Sequence, residues 1–314
     1  MIHLVAENAD QYYKNYMELF NPDTIHGLSD CLYESSPRGM KVREVIGVSQ
    51  TLLDPRERFL SCDVRRWPFR SYLAEVLWYL SADNSVSLIK DYLPVWERFS
   101  DNGITVNSNY GAHWHDAVLH CIDLLKKDRD TRRAAFSIYG NDFLTRTSKD
   151  VPCTFSVQFF IRNERLHMVV FNRSRDVVRG ECGGDMFAFT VLQELVANEL
   201  EIDVGNYTAH HGSLHVYEEH FNLIGNYRFN PEKFKWVEES PHRRHLWEKY
   251  STFWDNIETD SYVRPSWLFE GIENRNIDWR RFRDAHDRQI QMRQDVEEKL
   301  GILDLRPVGL EKDL

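Results

Sequence analysis

The residues of this chain that are most able to do chemistry are one cysteine and a set of arginines. Cys153 follows Pro152 and opens a strand-like segment, so its thiol could lie at a sheet end and face a cleft. Nearby cations lower the pKa of a thiol and so favour the thiolate, which is the attacking form. The alternative is a buried structural cysteine, which is the commoner fate of a free thiol.

Arginines supply these cations, and a serine adds a hydroxyl. The groups are Arg38, Arg132, Arg133, Arg173 and Ser174. Guanidinium groups bind phosphate through paired hydrogen bonds, although each arginine taken alone could be a solvated surface charge. The net charge of -10 and the pI of about 5.7 argue against a general nucleic-acid binder. They still allow a small anionic substrate in a local arginine cluster.

Hydrophobic periodicity predicts the elements that must position these groups. Phe155, Val157 and Phe159 alternate with polar residues, which predicts a half-buried strand after the cysteine. Residues 70–80 show helical spacing of apolar positions, and the expected buried stripe is Leu73, Val76, Leu77 and Leu80. Further helices are predicted over 11–20, 114–127, 186–200 and 278–300, and further strands over 42–53, 166–171 and 207–217. This mixture predicts an α/β (α+β) class with a mostly non-local sheet.

Three motifs occur in the order, and nearly at the spacing, of one enzyme family. They are PCTFSVQFF, NRSRDVVRG and GSLHVYEEH, and they begin at Pro152, Asn172 and Gly212. Over residues 38–229 the chain resembles the thymidylate synthase family. The resemblance implies a large mixed β-sheet flanked by helices, with sheets packing back to back in a homodimer. Because no long Gly/Ser/Pro linker interrupts the chain, we expect a single domain over residues 1–314, with a divergent helical extension from about residue 265.

The resemblance also assigns roles to residues. It implies that Cys153 attacks C6 of a pyrimidine and that Glu75 is the general acid and base. Aromatic neighbours of Glu75 would raise the pKa of its carboxyl, whereas the alternative is an ordinary exposed glutamate. The resemblance further implies that Arg38, Arg173 and Ser174 bind the phosphate, and that Arg132 and Arg133 bind it from the partner of a homodimer. It implies that His215 and Tyr217 bind the sugar. The residues implied to contact the base, the folate or the cysteine are Asn172, Asp176, Trp96 and Tyr110. Trp96 and Tyr110 could instead be core aromatics.

One position departs from the family in a way that bears on the base. If one inserted residue is allowed, Phe189 aligns with the family tyrosine and Asp185 takes the place of the asparagine that reads uracil. An ionised carboxylate cannot donate to O4 of uracil, but it can accept from the amino group of cytosine and from a protonated N3. A protonated Asp185 would instead donate to N3. The change resembles cytidylate and deoxycytidylate hydroxymethylases; the alternative is a loop residue that caps the helix beginning at Met186.

The expected function is transfer of a one-carbon unit from 5,10-methylenetetrahydrofolate to C5 of a cytidine nucleotide, dCMP or CMP, which gives the 5-hydroxymethyl product. The standard arginine and serine pattern favours the deoxyribose form, although no residue visibly excludes a ribose. The alternatives are methyl transfer to dUMP or dCMP and a catalytically silent nucleotide-binding homologue. The presence of Cys153, Glu75 and the arginines together argues against the silent homologue.

Other features limit the cofactors and the compartment. The five cysteines are widely spaced without a CxxC motif, and the histidines between 210 and 220 lack a set of zinc ligands, so no metal is expected. The first residues do not resemble a signal peptide, and no apolar run could cross a bilayer. We therefore expect a cytoplasmic protein without membrane or nucleic-acid partners. The family histidine and aspartate are replaced by Thr154 and Ser213, and the family's C-terminal closing segment has no clear counterpart after Pro265.

Overall fold

One mixed sheet forms the centre of the protein. The structure, a computed structural model, describes residues 2–22, 31–145 and 147–233. The strands of the sheet are β1 (Ile2–Ala6), β2 (Leu32–Ser35), β3 (Val42–Leu52), β4 (Ala135–Ser137), β5 (Thr154–Arg162), β6 (Arg165–Asp176) and β7 (Asp203–Tyr217). Their order is β1-β3-β7-β6-β5-β4, and β2 also pairs with β3. The pairs β1–β3 and β6–β7 are parallel, and the other pairs are antiparallel.

Three central strands bring polar residues together at one place in the sheet. Because β6 and β7 run parallel, Ser174 lies beside Ser213 and Asp176 beside His215. On the other side of β7, Glu44 of β3 pairs with the same His215. Residues that are far apart in sequence are therefore neighbours.

Helices cover the sheet. They are α1 (Ala9–Glu18), α2 (Phe69–Leu80), α3 (Val86–Ile89), α4 (Val95–Phe99), α5 (Gly111–Lys127) and α6 (Met186–Glu199), with a π-helix at Val177–Asp185 and 3₁₀ turns at Pro37–Gly39, Asn141–Leu144, Glu218–Leu223 and Pro231–Lys233. Helix α6 is apolar and almost entirely buried between α2, α5 and the sheet, and this burial of apolar surface stabilises the fold. In the described residues, no helix is long and apolar enough to span a membrane.

Most elements predicted from the sequence are confirmed. The helices expected over 11–20, 70–80, 114–127 and 186–200 are α1, α2, α5 and α6, and the expected stripe of α2 is buried. The strands expected over 42–53, 166–171 and 207–217 are β3, β6 and β7. Strand β6 extends beyond its predicted range at both ends, and β7 begins before its predicted range. The helical stretch at 278–300 and the extension from about residue 265 lie outside the described residues, so the single-domain prediction stays a prediction.

The expected inward position of Phe155 is wrong. The register between β5 and β6 shifts between Thr154 and Ser156, and this bulge turns Phe155 outward, where it is 41% exposed. Val157 and Phe159, beyond the bulge, are buried as expected. A bulge adds a residue to one strand and so reverses the inward and outward alternation before it.

Candidate active site

The thiol of Cys153 lies immediately before β5, beside an arginine from β6. The backbone N–H of Arg173 donates to the carbonyl of Cys153 at 2.9 Å, and the guanidinium Nη2 lies 3.8 Å from Sγ. The same guanidinium donates to the carbonyls of Val151 and Pro152 at 2.8 and 2.9 Å, so it also holds the loop that precedes the thiol. Cys153 is half-buried, unlike the core cysteines, so the alternative of a buried structural thiol is wrong.

Cations and a neutral histidine gather beside this thiol. Arg38 occupies a left-handed backbone conformation (φ 53°) in the 3₁₀ turn that precedes β3, which non-glycine residues rarely adopt. Burial lowers the pKa of His215 to about 4; the carboxylate of Glu44 opposes this shift, whereas Arg173 and Arg38 add to it. His215 is therefore neutral near pH 7 and can bind a hydroxyl. The ring of Tyr217 meets the His215 ring edge-on at 5.1 Å.

Glu75 is a buried carboxyl on α2, so the alternative of an exposed helical glutamate is wrong. Its pKa is raised to about 8, first by burial and then by the neighbouring carboxylate of Asp185. The indole Nε1 of Trp96 donates to Oε1 of Glu75 at 3.1 Å. The backbone at Gly184 passes so close that a Cβ there would overlap Oε2 of Glu75. Glu75 is thus a neutral acid near pH 7 that can supply a proton.

Asp185 ends the π-helix and is buried against an arginine. It occupies the position that precedes α6, but its side chain makes no capping hydrogen bond, so the cap interpretation is wrong. Its carboxylate instead accepts from Nη1 of Arg175, which is itself buried. Burial raises the pKa of Asp185 above its ordinary value; the charge of Arg175 and hydrogen bonds with Tyr110 and Arg175 oppose this rise and favour the ionised form. Sequence reasoning did not anticipate this ion pair.

Three other candidate residues are tied to protein partners. The hydroxyl of Tyr110 accepts from Arg175 at 3.1 Å. Asn172 accepts from the hydroxyl of Thr154 at 3.0 Å and from Arg175, so its amide oxygen is already engaged. Asp176 accepts from the backbone N–H groups of residues 178 and 179 at 3.2 and 2.8 Å, and burial raises its pKa to about 6. These contacts hold Tyr110 and Asn172 at the guanidinium of Arg175 and hold Asp176 at the start of the π-helix.

Arg132 and Arg133 are not part of this constellation within one chain. Both precede β4 and are exposed. Among the described residues, no hydrogen bond or ion pair joins either guanidinium to the groups around Cys153. Their expected role across a homodimer interface stays a prediction.

A sequence model of the thymidylate synthase family matches residues 29–236, which is more than half of the 314-residue chain. The chain belongs to the thymidylate synthase family. Members of this family use methylenetetrahydrofolate and bind a pyrimidine nucleotide. The predicted thymidylate synthase-like fold, with its mixed sheet flanked by helices, is thereby confirmed.

Phage proteins are among the relatives. The chain is 31% identical over 199 residues to the deoxyuridylate hydroxymethyltransferase of Bacillus phage SP01, covering 58% of this chain and 52% of the relative. It is 32% identical over 212 residues to the deoxyuridylate hydroxymethyltransferase of Pseudomonas phage M6, and the match covers 63% of this chain and 60% of the relative. It is 31% identical over 184 residues to the deoxyuridylate hydroxymethyltransferase of Delftia phage PhiW-14, and the match covers 53% of this chain and 51% of the relative. The chain therefore spans between about half and three-fifths of these relatives' lengths.

Two departures from the thymidylate synthase pattern have a structural explanation. Ser213 stands where the family has an aspartate, and its hydroxyl donates to Glu44 of β3, so the neighbouring strand supplies a carboxylate there. The insertion expected before Asp185 falls within the π-helix, whose turn is wider than that of an α-helix. Phe189, one of the residues that fixed the alignment, stacks on Tyr110 with ring centroids 5.4 Å apart.

His211 on β7 has protein partners through both ring nitrogens. Nδ1 of His211 lies 3.2 Å from the amide nitrogen of Asn172, and Nε2 lies 2.7 Å from the hydroxyl of Tyr16. In the part of the chain that the structure describes, no group of three or more His, Cys, Asp or Glu side chains could hold a metal ion.

Sequence reasoning missed Arg175 and Glu181. Both are fully buried, and Nε of Arg175 lies 3.4 Å from Oε2 of Glu181. The available signal was the pair of acids Glu181 and Asp185 directly before the apolar helix that begins at Met186, because a buried acid needs a cation or several donors nearby. That cation lies in the NRSRD motif itself.

We expect Glu75→Gln to lower turnover about 100-fold, because the amide cannot transfer a proton. In the folded protein Glu75 keeps its proton up to about pH 8, whereas the unfolded chain loses it near the ordinary value of 4.5. The stability linked to this proton is therefore full below pH 4.5 and is lost as the pH rises to about 8. Thermal unfolding across this range should show a steeper decline for the wild type than for Glu75→Gln; equal slopes would contradict the assignment.

Proposed function

We propose that this chain transfers a one-carbon unit to C5 of a pyrimidine nucleoside monophosphate and yields the 5-hydroxymethyl product. The observation that carries the proposal is a half-buried thiol beside a cation, connected to a buried neutral acid. Arg175 contacts both Thr154, the residue after Cys153, and Asp185, whose carboxylate lies near Glu75. A nucleophile and a proton donor are thereby connected through one network of contacts, as addition to a polarised ring requires.

Each group has a defined task in this proposal. The thiolate of Cys153 forms a bond to C6, which makes C5 nucleophilic. C5 would then bond to the one-carbon unit and lose its proton, and tetrahydrofolate would leave as the carbon–nitrogen bond breaks. Water would add to the remaining exocyclic methylene to give the hydroxymethyl group, and the bond between sulfur and C6 breaks when product forms. Glu75 gives its proton to the atom on C4 as electrons move toward it, and takes the proton back later. Arg38, Arg173 and Ser174 bind the phosphate, and His215 with Tyr217 binds the sugar hydroxyl.

Methylenetetrahydrofolate fits the aromatic side of the site. The half-buried ring of Trp96 packs against Trp78 with ring centroids 5.2 Å apart, and its indole N–H donates to the carboxyl of Glu75. Such a surface can stack on a flat heterocycle while the proton donor stays within reach. When bound, the folate supplies a carbon at the oxidation level of formaldehyde, and Trp96 with Asp176 would hold it.

For the base we propose cytosine. Asp185 is paired with Arg175, so it is an acceptor that cannot donate to O4 of uracil. The amino group of cytosine is a donor that suits this carboxylate, and protonation of N3 would make C6 more electrophilic. The substrate would then be dCMP or CMP.

A second candidate base is uracil, with dUMP as substrate. The observation that favours it is the similarity to the phage relatives, which are deoxyuridylate hydroxymethyltransferases. In this case N3–H donates to Asp185, and the proton of Glu75 meets O4.

Mass spectrometry of products tests the proposal and separates the bases. CMP, dCMP and dUMP are incubated separately with the full chain and methylenetetrahydrofolate. We expect a hydroxymethyl gain on one cytidine nucleotide; the same gain on dUMP selects the second base. A methyl gain contradicts hydroxymethylation. Binding without any product would favour the silent homologue.

We also propose a homodimer in which Arg132 and Arg133 complete the partner's phosphate site. A mixture of two inactive variants tests this: Cys153→Ala, and the double variant Arg132→Gln with Arg133→Gln. A mixed dimer would contain one site with neither defect, so random exchange of subunits should restore about a quarter of wild-type activity. Sedimentation gives the oligomeric state. An active monomer, or no recovery in a mixture that contains mixed dimers, contradicts the shared site.

A further inference from the structure

The side chain of Arg175 lies between two buried acids. It projects from β6 and is 2% exposed. Nε lies 3.4 Å from Oε2 of Glu181, and Nη1 donates to Asp185. Buried charges are costly unless they are paired, so one guanidinium between two carboxyl groups stabilises whichever of them is ionised.

The terminal donors of this guanidinium are all used inside the protein. Nη1 donates to the hydroxyl of Tyr110 at 3.1 Å as well as to Asp185. Nη2 donates to the hydroxyl of Thr154 at 2.7 Å and to the amide oxygen of Asn172. Because a guanidinium carries two hydrogens on each terminal nitrogen, no terminal hydrogen remains for a substrate. Any effect of Arg175 on the substrate must act through the residues it holds.

A closed ring of polar contacts fixes the position of Arg175. Glu181 accepts from the hydroxyl groups of Tyr12 and Tyr207 at 2.8 and 3.1 Å. The hydroxyl of Tyr12 lies 3.2 Å from the hydroxyl of Tyr16, which lies 2.7 Å from Nε2 of His211. Nδ1 of His211 lies 3.2 Å from the amide nitrogen of Asn172, and the amide oxygen of Asn172 accepts from Arg175, which closes the ring. Two of its members lie on α1, before residue 29, where the family match begins. The ring therefore joins α1 to the site.

Acidic and phenolic groups surround Asp185 on its other sides. Glu75 and Tyr79 face it from α2, Tyr110 from the start of α5, Tyr207 from β7 and Glu181 from the π-helix. A carboxyl in such surroundings favours its neutral form, since burial and like charges both oppose ionisation. Among these neighbours Arg175 is the cation that opposes them.

We propose that Arg175 is a positioning residue that keeps Asp185 ionised and directed at the base, so that base selection depends on Arg175. This inference rests on the proposed function of Asp185. A neutral Asp185 could both donate and accept, and it would distinguish cytosine from uracil poorly. An ionised Asp185 only accepts, and its direction is set by the ion pair and the ring behind it.

The test compares Arg175→Gln, which removes the charge, with Arg175→Lys, which keeps it. For Arg175→Gln we expect the ratio of kcat/KM between the two bases to fall at least about tenfold, the scale of one charge-assisted hydrogen bond. The acid limb of kcat/KM should also move to higher pH, because without the cation Asp185 holds its proton longer. Arg175→Lys should restore the position of that limb. The matched control is Arg165→Gln on the exposed end of β6, which should change neither readout.

Loss of a buried cation could also impair folding, so a charge-balanced variant accompanies the test. Arg175→Gln combined with Glu181→Gln removes one charge of each sign and keeps an amide oxygen at residue 181 that can accept from the hydroxyls of Tyr12 and Tyr207. Calorimetric binding of CMP and dUMP without folate gives the base preference independently of turnover. If a folded variant keeps the wild-type preference and pH profile, the inference is wrong. If the wild type itself neither binds nor converts a pyrimidine nucleotide, the proposed function fails instead.

Discussion

Cys153→Ala is expected to abolish turnover, with a loss of at least about ten-thousandfold. Every later step depends on the bond between sulfur and C6, because without it C5 of a pyrimidine is not nucleophilic. Removal of a nucleophile that acts together with other catalytic groups leaves only the contribution of binding and positioning. Binding of the nucleotide should change little, because Arg173 and Arg38 remain. The expected result is thus a folded protein that binds substrate but does not convert it.

Two measurements separate chemistry from folding in this variant. The first is release of tritium from C5 of a labelled nucleotide, which requires the sulfur adduct; the second is nucleotide binding by calorimetry. Cys31→Ala is the matched control, since Cys31 is also half-buried but lies away from β5 and β6. Tritium release by Cys153→Ala at the wild-type rate would exclude the covalent mechanism.

Periodicity was sufficient to predict most helices and strands. Helix α6 is a long apolar segment in a buried environment, and strand β3 is rich in β-branched residues. Each agrees with its predicted range to within a residue. Phe155 shows the limit of this reasoning, because a bulge is a property of two paired strands and not of one segment. A local pattern does not reveal where the partner strand shifts its register.

The site was predictable only where family motifs marked it. The motifs indicated Cys153 and Glu75, and the structure shows the first half-buried beside an arginine and the second buried with a raised pKa. The motifs did not single out Arg175, because its role depends on Asp185, ten residues away, and on the distant helix α1. Charge pairing in a core is a long-range property, so it emerges only when the chain is folded.

Asp185→Asn is expected to change base preference from cytosine toward uracil, by about a thousandfold in the ratio of kcat/KM. Arg175 donates to one carboxylate oxygen of Asp185, so the oxygen of an asparagine would keep that place. The amide NH₂ group then faces the base, where it donates to O4 of uracil but meets the amino group of cytosine donor to donor. A buried pair of donors without an acceptor is costly, which makes the expected change large.

The ratio of rates for CMP or dCMP over dUMP measures this change, with Asp150→Asn as the control. Asp150 is another buried carboxylate, bonded to the backbone N–H of Ser108 at 2.7 Å, so its replacement tests the general effect of losing a buried acid. The control should alter stability without altering the ratio. If Asp185→Asn keeps the wild-type ratio, Asp185 does not read the base. If the wild type already prefers dUMP, the ionised carboxylate accepts from N3–H, and the variant should lose that bond without gaining activity on cytosine.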